Sequence, residues 1–208
     1  FSILQRYLDP RWSITGIQSP RPDGPMMTCA TLDEVCDAHL ATLRQRQPTG
    51  PYYLFGYSLG GTLAQGIAAR LQAAGEQVAF LGLLDTWPPE SQNWAGKSPD
   101  QRDPEVLAEI AREREAFVAA QQGQGSDRLF GTIEGNYDDA VRLLSTARSA
   151  RFDGKATLFV ATHTLKPGMD PHTTWAPWIG ELEVYPQACA HVDIISPQAF
   201  EAIGPVLR

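Results

Sequence analysis

The sequence predicts an α/β fold, a mostly parallel sheet with helices on both faces and a helical insertion at one end. Three observations point there. An apolar, aromatic run from Tyr52 to Tyr57 passes through a tight, glycine-bounded turn, Gly56-Tyr57-Ser58-Leu59-Gly60, into a helical pattern from Thr62 to Ala74. A second apolar run, Val78 to Leu84, follows Gly75 and ends on Asp85. Strand, helix and strand at this spacing imply a right-handed crossover in a parallel sheet. A third run, Ala156 to Ala161, resumes the sheet after an interval too long for a simple connection.

The elements justify themselves in order. Residues 1–8 suit a helix that stops before Pro10, and Trp12 to Ile17 (WSITGI) suits a buried strand. The Pro/Gly-rich stretch Ser19 to Pro25 is a loop. Thr31 and Glu34 fit a capping box, with hydroxyl and carboxylate meeting free backbone N–H groups. Leu32, Val35, Cys36, His39, Leu40 and Leu43 follow at helical spacing until Pro48 and Gly50. From Trp87 to about Ala150 the character changes. Asp103 and Pro104 read as the start of a charged helix running to about Gln122, and a second helical stretch covers roughly Asp138 to Ala150. We expect this insertion, about 88–150, to form a helical lid. Beyond the third strand come a Pro-rich loop with Trp175 and Trp178, a short strand at Leu182–Tyr185, His191, and a last helix from Pro197 to about Ile203.

Size and composition bound the function. The 208 residues suit one well-cored domain, and 43% hydrophobic content is ordinary for a globular chain. The net charge of −7 argues against a nucleic-acid partner, and no apolar run approaches the roughly 20 residues of a membrane span. Three cysteines, Cys29, Cys36 and Cys189, cannot all pair and show no C-x-x-C spacing. Free thiols in a reducing, cytoplasmic compartment are expected. Four histidines without metal-ligand spacing give no metal site. Because the chain opens on Phe1, inside a helical pattern, we expect an N-terminally truncated domain of a longer polypeptide.

Gly56-x-Ser58-x-Gly60 is weak as a bare pattern. Between a strand and a helix it becomes the nucleophile elbow of an α/β-hydrolase, which lifts a serine hydroxyl above the sheet end. Side chains at 56 and 60 are expected to collide where the helix turns back on the strand. Such a serine needs a base, and the base needs an orienting acid, in chain order Ser, acid, His. Asp85 lies 27 residues after Ser58, and His191 lies 133 after it. Asp85 abuts its strand directly. Asp170, several residues into a loop, is the rival, because the usual acid of this fold follows a later strand. His163 rivals His191, which is preferred for lying after the last strand; His39 and His172 stand behind both. Cys189 reads as a neighbour of His191, since nothing places it on an elbow. The backbone N–H of Leu59 supplies one oxyanion donor. The second normally comes from an early strand–helix loop, which we expect to lie upstream of this chain, so that the upstream segment is needed for full rate.

GYSLGG (56–61), GTLAQGIAARL (61–71), LLDTWPPE (83–90) and CAHVDII (189–195) together resemble the thioesterase domain that ends nonribosomal peptide synthetases, closest to its enterobactin-type members. The likeness implies Ser58, Asp85 and His191 as the triad, and a mobile lid over about 88–150. It implies a substrate delivered as a thioester on the phosphopantetheine arm of a peptidyl carrier protein domain within the same polypeptide, with no cofactor bound directly. Ser58 is then acylated and the ester released by hydrolysis or cyclisation, in siderophore biosynthesis from aryl-capped serine ester units. Trp87, Trp94, Tyr137 and Trp175 are candidates to stack on aryl rings, against ordinary packing for each. Two other readings are a stand-alone esterase or editing thioesterase with the same triad, and a catalytically silent interaction module.

Overall fold

The computed structural model describes residues 2–17, 31–91, 111 and 140–207. Among these, four strands form one sheet: β1 (Tyr52–Tyr57), β2 (Val78–Leu84), β3 (Phe152–Ala161) and β4 (Ile179–Gln187). They lie side by side in chain order, each parallel to its neighbour. Tyr57 stands opposite Leu84, Leu84 opposite Phe159, and Phe159 opposite Tyr185. β1 and β2 therefore finish together, two residues short of the ends of β3 and β4, and the residues just beyond them, Ser58 and Asp85, reach the same edge.

The apolar pattern of the strands explains the layers. Leu81, Leu83 and Leu84 are fully buried, as expected of a parallel strand covered on both faces. Leu81, Leu83 and Leu158 pack on one face with Ala64 and Ala68 of helix α2 (Leu59–Ala73). Leu84 and Phe159 point to the other, against Leu4, Ile194, and Phe200 and Ile203 of the last helix. Successive residues of β2 thus serve opposite cores, the period-2 alternation of a strand.

Helix α1 (Leu32–Arg46) begins where the Thr31 hydroxyl accepts the Glu34 N–H at 3.2 Å. It lies on α2, and Arg70 of α2 reaches Asp33 at 2.6 Å and Asp37 at 2.7 Å, one turn apart on α1. Residues 140–146 are helical. There Leu143, with Ala147 just beyond, packs on Leu32 and Val35, next to Leu59 and Leu63. A short helix α3 (Pro171–Trp175) precedes β4. The last helix, α4 (Pro197–Ile203), has the expected bounds, with the Ser196 hydroxyl accepting the Ala199 N–H at 3.2 Å.

Three sequence expectations are corrected. Residues 12–17 form no strand among the described residues. Trp12 is 43% exposed and meets Tyr53 edge-on at 4.3 Å, so this apolar run covers the core's fringe without a ladder to join. The opening helix is a 3-10 turn, Ser2–Arg6. The fourth strand is nine residues long, far beyond the expected 182–185, because its half-exposed outer positions lack an apolar signature. The insertion's first helix lies outside the described residues, apart from residue 111.

Candidate active site

The turn after β1 is held by backbone chemistry. Ser58 adopts φ 52° and ψ −124°, a conformation that a non-glycine residue keeps only when its surroundings impose it. Its N–H donates to Leu84 O at 3.0 Å, and its carbonyl accepts from Gly61 N at 2.9 Å and Thr62 N at 3.2 Å. A Cβ on Gly56 would clash with the Gly60 carbonyl, which is why the helix can turn back so closely on the strand. The expectation for Gly60 itself is wrong: a Cβ there meets nothing within 4 Å. Gly61 is the second tight position, where a Cβ would strike the Thr86 side chain. Thr86 Oγ1 donates towards Leu84 O (3.1 Å) and Ser58 O (3.3 Å), bracing the turn from β2.

Leu59 is the first residue of α2, so its N–H is one of the donors that a helix leaves without an intrahelical acceptor. That N–H lies one residue from the Ser58 hydroxyl, at the positive end of the helix dipole. An oxyanion forming on a group bound to Ser58 would find it there.

Asp85 follows β2 with φ 40° and is 6% exposed. Its N–H donates to Phe159 O at 2.7 Å. Oδ1 accepts from Ala161 N at 3.1 Å and faces Trp87 Nε1 at 3.4 Å. Oδ2 lies 2.7 Å from His191 Nδ1. An ionised carboxylate offers only acceptor oxygens, so its bond to the imidazole is made with the proton on Nδ1. The lone pair of His191 is then on Nε2, where a general base needs it. Tyr57 stacks on the imidazole, ring centroids 4.7 Å apart and planes 29° off parallel. Its hydroxyl donates to the His191 carbonyl at 3.2 Å.

The structure brings Asp85 to His191 and leaves Asp170 elsewhere. Asp170 caps α3, accepting the Thr173 N–H at 2.8 Å, and this bond holds its carboxyl below the usual range. His163 is exposed, and its N–H donates to the Cys189 carbonyl at 3.1 Å. His39 is buried in α1, and burial pushes its pKa down. Cys189 is half-buried, and burial together with the Asp193 and Asp85 charges raises its thiol pKa, away from thiolate chemistry.

Of the aromatic candidates, Trp175 is corrected. It is 1% exposed in the main core, and its Nε1 donates to Thr86 O at 3.2 Å, so it offers no ring face to a ligand. Trp87 is half-buried beside the Asp85 carboxylate. Trp94 and Tyr137 lie outside the described residues. Sequence reasoning missed Tyr57 and Thr86. Each adjoins a candidate catalytic residue, Ser58 and Asp85 respectively, and that adjacency was the available signal. Among the described residues no cluster of three His, Cys, Asp or Glu side chains is placed to hold a metal.

Comparison with known proteins agrees with this architecture. A family model described as "Thioesterase domain" matches residues 1–206. Enterobactin synthase component F of Escherichia coli (strain K12) is 74% identical over 208 residues, covering all of this chain and 16% of that protein. Vanchrobactin synthetase VabF of Vibrio anguillarum is 45% identical over 211 residues, covering 99% of this chain and 7% of the relative. This chain thus spans a small part of the relatives it matches. A holo four-domain nonribosomal peptide synthetase bound to AMP and glycine superposes with a TM-score of 0.76 at 20% identity, over 99% of this chain and 18% of that one. The thioesterase domain that cyclises the lipopeptide antibiotic surfactin superposes at 0.56 with 16% identity, over 84% of this chain and 73% of its own. The sheet, the turn at its edge and the match over nearly every residue place the chain in the thioesterase domain family, with the α/β-hydrolase fold.

Proposed function

We propose that this domain releases the finished chain from a nonribosomal peptide synthetase in siderophore assembly of the enterobactin type, with Ser58, His191 and Asp85 as its catalytic triad. The observation that carries the reading is the 2.7 Å bond from Asp85 to His191 at the sheet edge where β1 delivers Ser58. The 74% identity to enterobactin synthase component F supports the siderophore context.

The substrate is an acyl thioester on the phosphopantetheine arm of a carrier domain, and the arm leaves as product rather than staying as a cofactor. Ser58 Oγ attacks the thioester carbonyl while its proton passes to His191 Nε2. Asp85 holds the imidazole through Nδ1 and balances its charge. The negative charge on the carbonyl oxygen faces the Leu59 N–H. The C–S bond then breaks, the thiol takes the proton from Nε2, and the acyl group remains as an ester on Ser58. His191 next removes a proton from water or from a hydroxyl of the bound chain. The second attack restores Ser58 and yields an acid or a lactone. Aryl-capped serine esters are the proposed acyl units, with Trp87, Trp94 and Tyr137 as ring contacts. The free thiols of Cys36 and Cys189 support a cytoplasmic setting.

Mass spectrometry of the product released from an acyl-loaded carrier tests this. Wild type is expected to give lactone or acid, and Ser58→Ala neither. Equal release by both proteins would refute the assignment.

A further inference from the structure

We propose that Tyr57 is a positioning residue for His191, holding the ring and the main chain of the base from the strand that carries the nucleophile. The inference deepens the reading above and rests on it.

One hydrogen bond does not orient an imidazole. The 2.7 Å bond from Nδ1 to Asp85 fixes a point, about which the ring can still swing and tilt. The plane has to be set by something else if Nε2 is to meet the Ser58 hydroxyl in the acylation step. His191 belongs to a loop that leads into a single 3-10 turn, Val192–Ile195, so its own element gives little rigidity. Tyr57 supplies the two missing constraints. Its ring lies 4.7 Å from the imidazole at 29°, which limits tilt. Its hydroxyl donates to the His191 carbonyl at 3.2 Å, which fixes the backbone from which the ring springs. The phenol is itself well held: Tyr57 ends β1 and packs, half-buried, against the cluster that contains Leu84, Phe159 and Ile194.

The covalent neighbour matters as much. Tyr57 precedes Ser58 directly, so the nucleophile and the orientation of its base are both referred to one strand end. Asp85 refers the same ring to the adjacent strand end. Small displacements of a catalytic group cost much rate, and three constraints from two paired strands suppress them.

The test is inactivation by a fluorophosphonate probe in the full-length protein. Wild type, Ser58→Ala, Tyr57→Phe and Tyr57→Leu are compared over a range of probe concentrations, separating the maximal rate kinact from the binding constant KI, with thermal melts alongside. Tyr57→Leu, which loses both ring and hydroxyl, is expected to lower kinact on the order of 10- to 100-fold with KI within about twofold of wild type. Tyr57→Phe keeps the ring and is expected to recover most of that loss, settling about threefold below wild type. Wild-type kinact in Tyr57→Leu, or a loss confined to KI, overturns the proposal. Should Tyr57→Leu fail to fold, folded Tyr57→Phe decides alone, and wild-type kinact there overturns the two-point hold. Labelling of Ser58→Ala at the wild-type rate instead overturns the catalytic reading itself, whatever the Tyr57 variants do.

Discussion

Ser58 and Asp85 hold equivalent places on neighbouring strands. Each is the first residue past its strand, each has a positive φ (52° and 40°), and each passes its N–H to the next strand, Ser58 to Leu84 O and Asp85 to Phe159 O. The sheet thus delivers two side chains to one rim by the same backbone device, used twice. His191, which lies beyond β4, is brought to that rim by its bond to Asp85.

Asp85→Asn should separate geometry from chemistry. Asparagine tolerates the left-handed backbone as well as aspartate does and can still accept from Ala161 N–H. Its amide group cannot accept from Nδ1–H, which favours the wrong tautomer of His191. Acylation of Ser58 is expected to fall by about 10²–10⁴, with only a few degrees' change in Tm. Stopped-flow acylation and calorimetry on the same sample check this.

Gly61→Ala should expose the coupling between the turn and Thr86. The new methyl strikes the Thr86 side chain, so a loss of about 1–3 kcal/mol is expected. Thr86→Ala removes the obstacle but also the brace on Ser58 O. The double variant should therefore be more stable than the sum of the single losses predicts, by about 0.5 kcal/mol or more, in urea titrations.

Arg70→Ala should loosen α1 from α2 without touching the rim. Its side chain, 22% exposed, bridges Asp33 and Asp37 through the guanidinium. Because both carboxylates are exposed, the expected loss is about 1 kcal/mol and shrinks at high salt. Denaturant melts at two ionic strengths measure it, and Ser58 labelling should be unchanged.

Alkaline stability should report Cys36. Burial pushes its thiol up to about 11 from the ordinary 9.0. Below pH 9.0 folded and unfolded chains both keep the proton; between 9.0 and about 11 the unfolded chain releases it and the folded one does not. Unfolding is favoured through that window, and stability falls as pH rises. The loss attributable to this group is about 2–3 kcal/mol across the window, and Cys36→Ala should remove it from the pH profile.

The central strands and α2 were legible because local signals agreed there. Aromatic and branched residues in β1 and β2, the glycines of the turn and the small residues of α2 all favour one arrangement. Long-range packing was less legible. Trp175 looks like a ligand contact in sequence because it sits in a Pro-rich loop, yet it is buried in the core shared by α2 and one face of the sheet. Trp12 to Ile17 has strand-like residues but lacks a ladder partner among the described residues. The role of Tyr57 depends on a residue 134 positions away, and no spacing rule reaches that far. Asp85 could be preferred over Asp170 from its contact with a strand end, whereas its donors, Ala161 N–H and Trp87, needed coordinates.

Peptide mapping after reaction with a carrier-bound acyl thioester tests the covalent step most directly. The acyl mass is expected on the peptide containing Ser58, lost in Ser58→Ala and forming far more slowly in His191→Ala. An adduct on another residue, or undiminished turnover once the Ser58 hydroxyl is removed, would contradict it.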